Sequence, residues 1–291
     1  MTKESWGKFK KARERFKQET ERLSASLPDL KNIQQGFVNS RSETTYTIET
    51  PVVYNSALDD FTADDEIKLI LTADNPGRRE QASQNRRYLV GPSGKIAHKF
   101  FRDNPSLHID YLKNVIILNK TPIHSPRTVE LKELCKMDKE ELHTNARRHE
   151  GNKGEEVHTK AQRHEEHKGN KGEEHHTKAR RHEGLIFELE KSQKFMASLL
   201  LEFQEALACP VWITGYSEMR KGGIFETYTE ELKTLYADKK EMYKQVFIFR
   251  HFSMNQFTID LKKQTQSGET VLKTLKRMGK AYRERILGDF N

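Results

Sequence analysis

Four short stretches of the chain are apolar almost without interruption: 67–73 (IKLILTA), 114–119 (NVIILN), 210–216 (PVWITGY) and 246–250 (VFIFR). Their length and bulk predict strands. The apolar residues run on instead of alternating with polar ones, so both faces of each strand are expected to be covered. Between the runs the period changes. Residues 92–102 follow the first run and 127–142 the second, both in helix-like patterns. In 187–208, Leu189, Met196, Leu199, Leu200, Phe203 and Leu207 form a stripe wide enough for a helix that faces a core. Strands alternating with helices predict an α/β domain with a parallel sheet covered on both sides.

Outside this alternation the pattern differs. Residues 3–26 read as a basic helix in which Trp6, Phe9, Phe16 and Leu23 recur near multiples of a helical turn. Packing on the domain is the expected use of that stripe, ahead of membrane or nucleic-acid contact. The division is then a basic N-terminal helical segment, 1–36, and an α/β domain, 37–291. Residues 36–65 read as an extended or looped lead-in with a short β run at YTIET (46–50). Residues 143–184 are three copies of one unit, HTNARRHEGNKGEEV, HTKAQRHEEHKGNKGEEH and HTKARRHEG. With almost no large apolar side chain the block cannot bury a core, and it reads as a solvated insertion in a surface loop. It holds eight of the twelve histidines, but in duplicated copies instead of a ligand set, so metal binding is the lesser reading.

Composition narrows the partners. Of 291 residues, 34% are apolar and 32% charged, and the net charge of +8 suits a polyanion. Cys135 and Cys209 lie far apart in sequence, which argues against a disulfide framework, a structural zinc and an iron–sulfur cluster. No apolar run reaches the length of a membrane span, and the N-terminus has no apolar signal-peptide core. A cytoplasmic monomer with no cofactor and no metal is expected.

The chemistry gathers where the strands end. In open α/β sheets, ligands sit outside the carboxyl ends of the strands. Asp74-Asn75-Pro76-Gly77 follows the first run, Asn119-Lys120-Thr121-Pro122 ends the second, Gly215-Tyr216-Ser217-Glu218 ends the third, and His251-Phe252-Ser253 follows the fourth. Each has a plain structural reading as turn, cap or semi-buried histidine. Together they put an acid, two amides and an imidazole on one edge. A Rossmann-like nucleotide-binding enzyme is a weaker reading, because the chain has no G-x-G-x-x-G fingerprint and no P-loop.

Four motifs in this order resemble the uracil-DNA glycosylase superfamily, over about a third of the chain. ADNPG (73–77) is similar to the first motif in its Asn-Pro-Gly form, and RRYLVGPSG (86–94) to the segment that follows it in bacterial and archaeal branches. VIILNKTP (115–122), continued by PRT (126–128), resembles the strand that ends in the base-reading asparagine. FRHFSMNQF (249–257) is similar to the second catalytic motif, with Phe252 in place of the usual proline. Two departures stand out. Branches with VGPSG-like sequence commonly carry a four-cysteine iron–sulfur cluster, which two cysteines cannot supply. Leu89 falls where an aromatic is expected to stack on the base, with Tyr88 beside it, so the stacking residue is Tyr88 or Leu89.

The resemblance implies a three-layer α/β/α sandwich around a four-stranded, mostly parallel central sheet. It also implies hydrolysis of the N-glycosidic bond of uracil, or of a related deaminated or mismatched base, flipped out of single- or double-stranded DNA. Asn119 would read the base edge, His251 would donate to the leaving base, and Asn75 would hold the attacking water, with Asp74 the rival because a carboxylate is the better base. Gly77 would leave room beside the base. Ser253 and the turn with Gly91, Ser93 and Gly94 are candidates for phosphate contacts. Met254 or Phe257 would wedge into the vacated stack, unless they serve as core. Arg220 and Lys221 lie in a Gly-hinged loop that either touches DNA backbone or is a solvated turn. Other implied readings are a DNA-binding protein of this fold with weak or no catalysis, and a glycosylase for another base such as hypoxanthine.

Overall fold

The computed structural model describes residues 1–40, 45–134 and 171–290, and the side chains of all of these but 171–183. Its centre is a four-stranded sheet of β1 (Leu69–Ala73), β2 (Val115–Asn119), β3 (Val211–Thr214) and β4 (Val246–Phe249). The strand order is β2-β1-β3-β4 and every pair is parallel. The expected strands are all present, each shorter than its apolar run. Ala73 pairs with Asn119, and Thr214 with Phe249, so the last residues of all four strands lie along one edge.

Alternate residues of a strand face opposite sides of the sheet. On one side Trp212 stacks on Phe101 of α3 (Pro92–Asp103), with ring centroids 5.5 Å apart. On the same side α9 (Val271–Leu287) comes so close that a Cβ on Gly279 would stand 2.7 Å from both Phe247 and Phe249. The other side is covered by α5 (Lys171–Leu207), which contacts β1 and β2, and by α6 (Glu226–Tyr236), which packs on α5. The fold is therefore an α/β sandwich around a parallel sheet. Helix α5 starts well before residue 187 and takes in the backbone of the last repeat. The rest of the repeat, 143–170, lies outside the described residues, as does the expected 127–142 helix beyond residue 134. The described part of that helix, α4, is 128–134.

At the N-terminus, α1 (Lys3–Ser26) buries Phe9, Phe16 and Leu23 completely, and Phe9 meets Phe203 of α5 edge-on at 5.2 Å. Burying side chains of this size stabilises by about 1.5–3 kcal/mol each, so α1 is held as part of the domain. A second helix, α2 (Leu30–Ser40), replaces the start of the expected lead-in. The β run at YTIET does not form, because its backbone N–H groups find side chains instead of a strand. Ile48 donates to Gln35 at 2.8 Å and Glu49 to Gln81 at 2.7 Å. Beyond β3, α7 is the single turn Lys240–Tyr243, and α8 (Gln256–Gln264) leads into α9. No helix among the described residues is long and apolar enough to cross a membrane.

Candidate active site at the strand ends

The turn after β1 is held from three directions. Glu80, 7% exposed, accepts the N–H of Gly77, and the N–H groups of Leu89, Val90 and Gly91 converge on the same carboxylate. Burial nevertheless raises its pKa above the usual carboxylate value. His124, fully buried, lies within hydrogen-bond distance of the Pro76 carbonyl through Nδ1, at 2.8 Å, and of the Tyr46 hydroxyl through Nε2, at 2.9 Å. A carbonyl only accepts, so Nδ1 carries the ring proton and Nε2 accepts from Tyr46. Burial lowers the His124 pKa to about 4, which keeps the ring neutral. Asn75 completes the brace. Its Nδ2 donates to the Ser125 carbonyl and to Ser125 Oγ, each at 3.0 Å, and its Oδ1 accepts from Thr128 Oγ1 at 3.2 Å.

Asp74 stands beside this brace, its side chain 12% exposed, and its partner was not expected from the sequence. Lys120, fully buried, donates to Asp74 Oδ1 at 2.5 Å and to the Thr214 carbonyl at the end of β3. Its ammonium also lies 5.0 Å from the centroid of Phe225, over the ring. Burial pulls the lysine pKa down and the Asp74 charge pulls it back up. For Asp74, burial acts upward but is outweighed by Lys120 and His251, and the carboxyl is held below its ordinary value. Gly215 makes the arrangement possible: its φ is +88°, and a Cβ there would sit 2.0 Å from Asp74 Oδ1.

Asn119, one residue before Lys120, is 2% exposed and its Nδ2 has no hydrogen-bond partner. A buried amide left in that state costs about 1–3 kcal/mol. His251, partly buried, accepts the N–H of Ser253 at Nδ1, at 3.0 Å. The ring proton therefore sits on Nε2. Burial lowers the His251 pKa and Lys120 lowers it further, while Asp74 opposes both. The edge thus holds a neutral imidazole with one free donor, a carboxylate paired with a lysine, a braced amide and an unpartnered amide.

Several expected site residues stand elsewhere. Tyr88 is core: it is 3% exposed, its hydroxyl donates to the Val53 carbonyl at 2.7 Å, and its ring meets Phe16, so it presents no face for stacking on a base. Leu89 is 8% exposed with φ +52°, and its carbonyl would be struck at 1.4 Å by a Cβ on Gly94. The Gly94 role is thus close packing, and the Gly91 N–H is spent on Glu80 and not free for phosphate. Ser93 is half-buried in the first turn of α3. Phe257 is fully buried, with its ring 4.4 Å from Phe252 and 5.0 Å from Phe100, so it is core and not a wedge. Met254 is the opposite case, 81% exposed on a backbone with φ +49°, two residues past the half-buried Ser253's neighbour Phe252. Gly77 stands close against Glu80: a Cβ there would come within 3.3 Å of the carboxylate, so the missing side chain spares Glu80. Arg220 and Lys221 are exposed, and Arg220 lies over Tyr216 with its guanidinium 5.7 Å from the ring centroid.

Sequence reasoning assigned no role to Lys120, Thr128, His124, Glu80 or Gly215. A lysine directly after a strand normally reads as a solvated end, and its carboxylate partner is 46 residues away in sequence. No family model, no curated protein and no solved structure matches this chain.

Proposed function

We propose that the protein is a DNA glycosylase that hydrolyses the N-glycosidic bond of uracil, or of a closely related base, flipped out of DNA. The observation that carries this reading is the unpartnered Nδ2 of Asn119, a buried amide donor at the carboxyl end of β2, where ligands of open α/β sheets sit. A buried amide with free capacity fits one edge of a base. Its oxygen accepts from N3–H and its nitrogen donates to O4, a pattern that uracil offers and cytosine reverses.

The remaining groups fit the same reaction. As the glycosidic bond lengthens, negative charge develops on the base and the sugar becomes oxocarbenium-like. The Nε2–H of neutral His251 donates to the base oxygen that gains charge. The Asp74–Asn75 corner holds the water that captures the sugar, and the oxocarbenium-like centre asks for a placed water more than for a strong base. Met254 fills the space left by the extruded base. The net charge of +8 favours the phosphate backbone.

The experiment is direct. The protein is incubated with oligonucleotides that carry a single uracil, hypoxanthine, xanthine or G·T site, and abasic sites are then cleaved with alkali. Strand cleavage at uracil is expected. Cleavage only at hypoxanthine would move the substrate, and binding without cleavage at any site would leave a DNA-binding protein of this fold.

A further inference from the structure

The pairing of Asp74 with Lys120 goes beyond that reaction scheme, although its role rests on the glycosylase reading. A fully buried lysine is costly, because taking an ammonium out of water costs several kcal/mol before any partner repays it. Here it is repaid by the Asp74 carboxylate, the Thr214 carbonyl and the face of Phe225. Three strand ends, those of β1, β2 and β3, contribute to holding one charge at the edge where the candidate site lies.

The donors around Asp74 and Asn75 can be counted. Asn75 has two amide hydrogens, and both have acceptors on Ser125. Thr128 has a single hydroxyl proton. Its oxygen is 3.2 Å from Asn75 Oδ1 and 3.4 Å from Asp74 Oδ2, so the one proton is shared between the two. Asp74 Oδ1 is taken by Lys120. What remains is acceptor capacity on Asp74 Oδ2, a carboxylate oxygen with two lone pairs that meets only the shared Thr128 hydroxyl. A carboxylate oxygen is also a stronger acceptor for a water proton than an amide oxygen. Asn75 is then the brace that fixes the turn, and Asp74 is the group that takes the water.

We infer that Lys120 is a positioning residue: it fixes Asp74 as an anion, with Oδ1 pinned and Oδ2 turned toward the water that attacks the sugar. Lys120 touches neither base nor sugar and acts through Asp74 alone. The charged and polar groups that face the pair are His251 after β4, Thr128 on α4 and Glu218 after β3. None of them replaces the ammonium: Thr128 is shared with Asn75, His251 is neutral, and Glu218 repels the carboxylate.

The test is a double-mutant cycle of Lys120→Met and Asp74→Asn, read by single-turnover uracil excision, by thermal unfolding and by ¹³C titration of the Asp74 carboxyl. Lys120→Met alone is expected to slow excision about 10²-fold at pH 7, the usual loss when a preorganised group at developing charge is misplaced. The acid limb of its pH–rate profile should move to higher pH, as should the carboxyl titration. If that variant does not fold, the neutral pair Asp74→Asn/Lys120→Met supplies the measurement, because replacing both partners leaves no charge stranded. The double variant should excise within about threefold of Asp74→Asn alone, well inside the tenfold that 1.4 kcal/mol represents. A double variant ten times slower than Asp74→Asn at equal thermal stability would show that Lys120 acts elsewhere and overturn the inference. So would Asp74→Asn with wild-type excision, or a borohydride-trapped covalent adduct of the wild type that Lys120→Met abolishes. If the wild type excises no base, the glycosylase reading falls by itself. The carboxyl titration then decides the ion pair without any activity, an unmoved titration in Lys120→Met overturning it.

Discussion

Asn119 carries the sharpest test, because its proposed role is a match of donor and acceptor to one base edge. In Asn119→Asp the unpartnered Nδ2 becomes an oxygen that would face uracil O4. Two acceptors in apposition cost about 1–3 kcal/mol, more with a charge. Uracil excision is expected to fall by about 5- to 100-fold, since 1.4 kcal/mol is a factor of ten. Single-turnover rates on matched uracil and cytosine oligonucleotides check it. Wild-type uracil excision by this variant would remove Asn119 as the reader. His124 makes a different kind of prediction. Its folded pKa, about 4, lies below the unfolded value near 6.5. The unfolded chain therefore binds the proton first as pH falls, and stability drops progressively from about pH 6.5 down to the folded value. That difference corresponds to about 3 kcal/mol. His251, also lowered, adds in the same direction. Urea unfolding at pH 7.5 and pH 5 should show the loss, and His124→Gln should lose less between those two pH values than the wild type.

The elements were legible to different degrees, and the reasons are physical. The strands stood out because both of their faces are buried, which leaves a continuous apolar run that a solvated segment does not have. Strand ends then pointed to Asp74, Asn75, Asn119 and His251, which the sheet brings to one edge. YTIET looked the same locally but failed as a strand, since the amides of Gln35 and Gln81 reach its backbone from elsewhere in the chain. Lys120 and Glu80 were illegible for the same reason in reverse: what makes them matter is a partner placed by the fold. The loop that opens α8 offers a test of this distinction. Met254 and Phe257 are both apolar and three residues apart, yet one is 81% exposed and the other fully buried. Phe257→Ala is expected to cost about 3–5 kcal/mol of stability. Met254→Ala should leave the melting temperature within about 1–2 °C, as surface changes usually stay within about 0.5 kcal/mol, and should weaken binding to uracil-containing duplex. Equal destabilisation by the two variants would contradict the burial, and unchanged binding by Met254→Ala would remove it as the wedge.

For the whole molecule the relevant quantity is charge. The net +8 does not by itself name DNA, because many basic proteins bind no polyanion. Position makes the case more specific. Helices α3 and α8 both border the loop that carries Met254, and Lys95, Lys262 and Lys263 on them are exposed. At a rise of about 1.5 Å per residue, Lys262 and Lys263 lie roughly 10 Å along α8 from that loop, a distance of a few phosphates along one strand. Each phosphate neutralised on duplex DNA contributes about −0.9 to the slope of log K against log salt. Contacts from these three lysines therefore predict a slope of about −3, measured by fluorescence anisotropy on a uracil-containing duplex. Reversing two charges, Lys262→Glu and Lys263→Glu, should flatten the slope by about 2. Because these lysines lie away from the strand ends, single-turnover excision at saturating protein should stay unchanged. A wild-type slope near zero would remove nucleic acid as the partner. A steep slope that the charge reversals leave untouched would keep DNA as the partner but put its backbone on another face of the molecule.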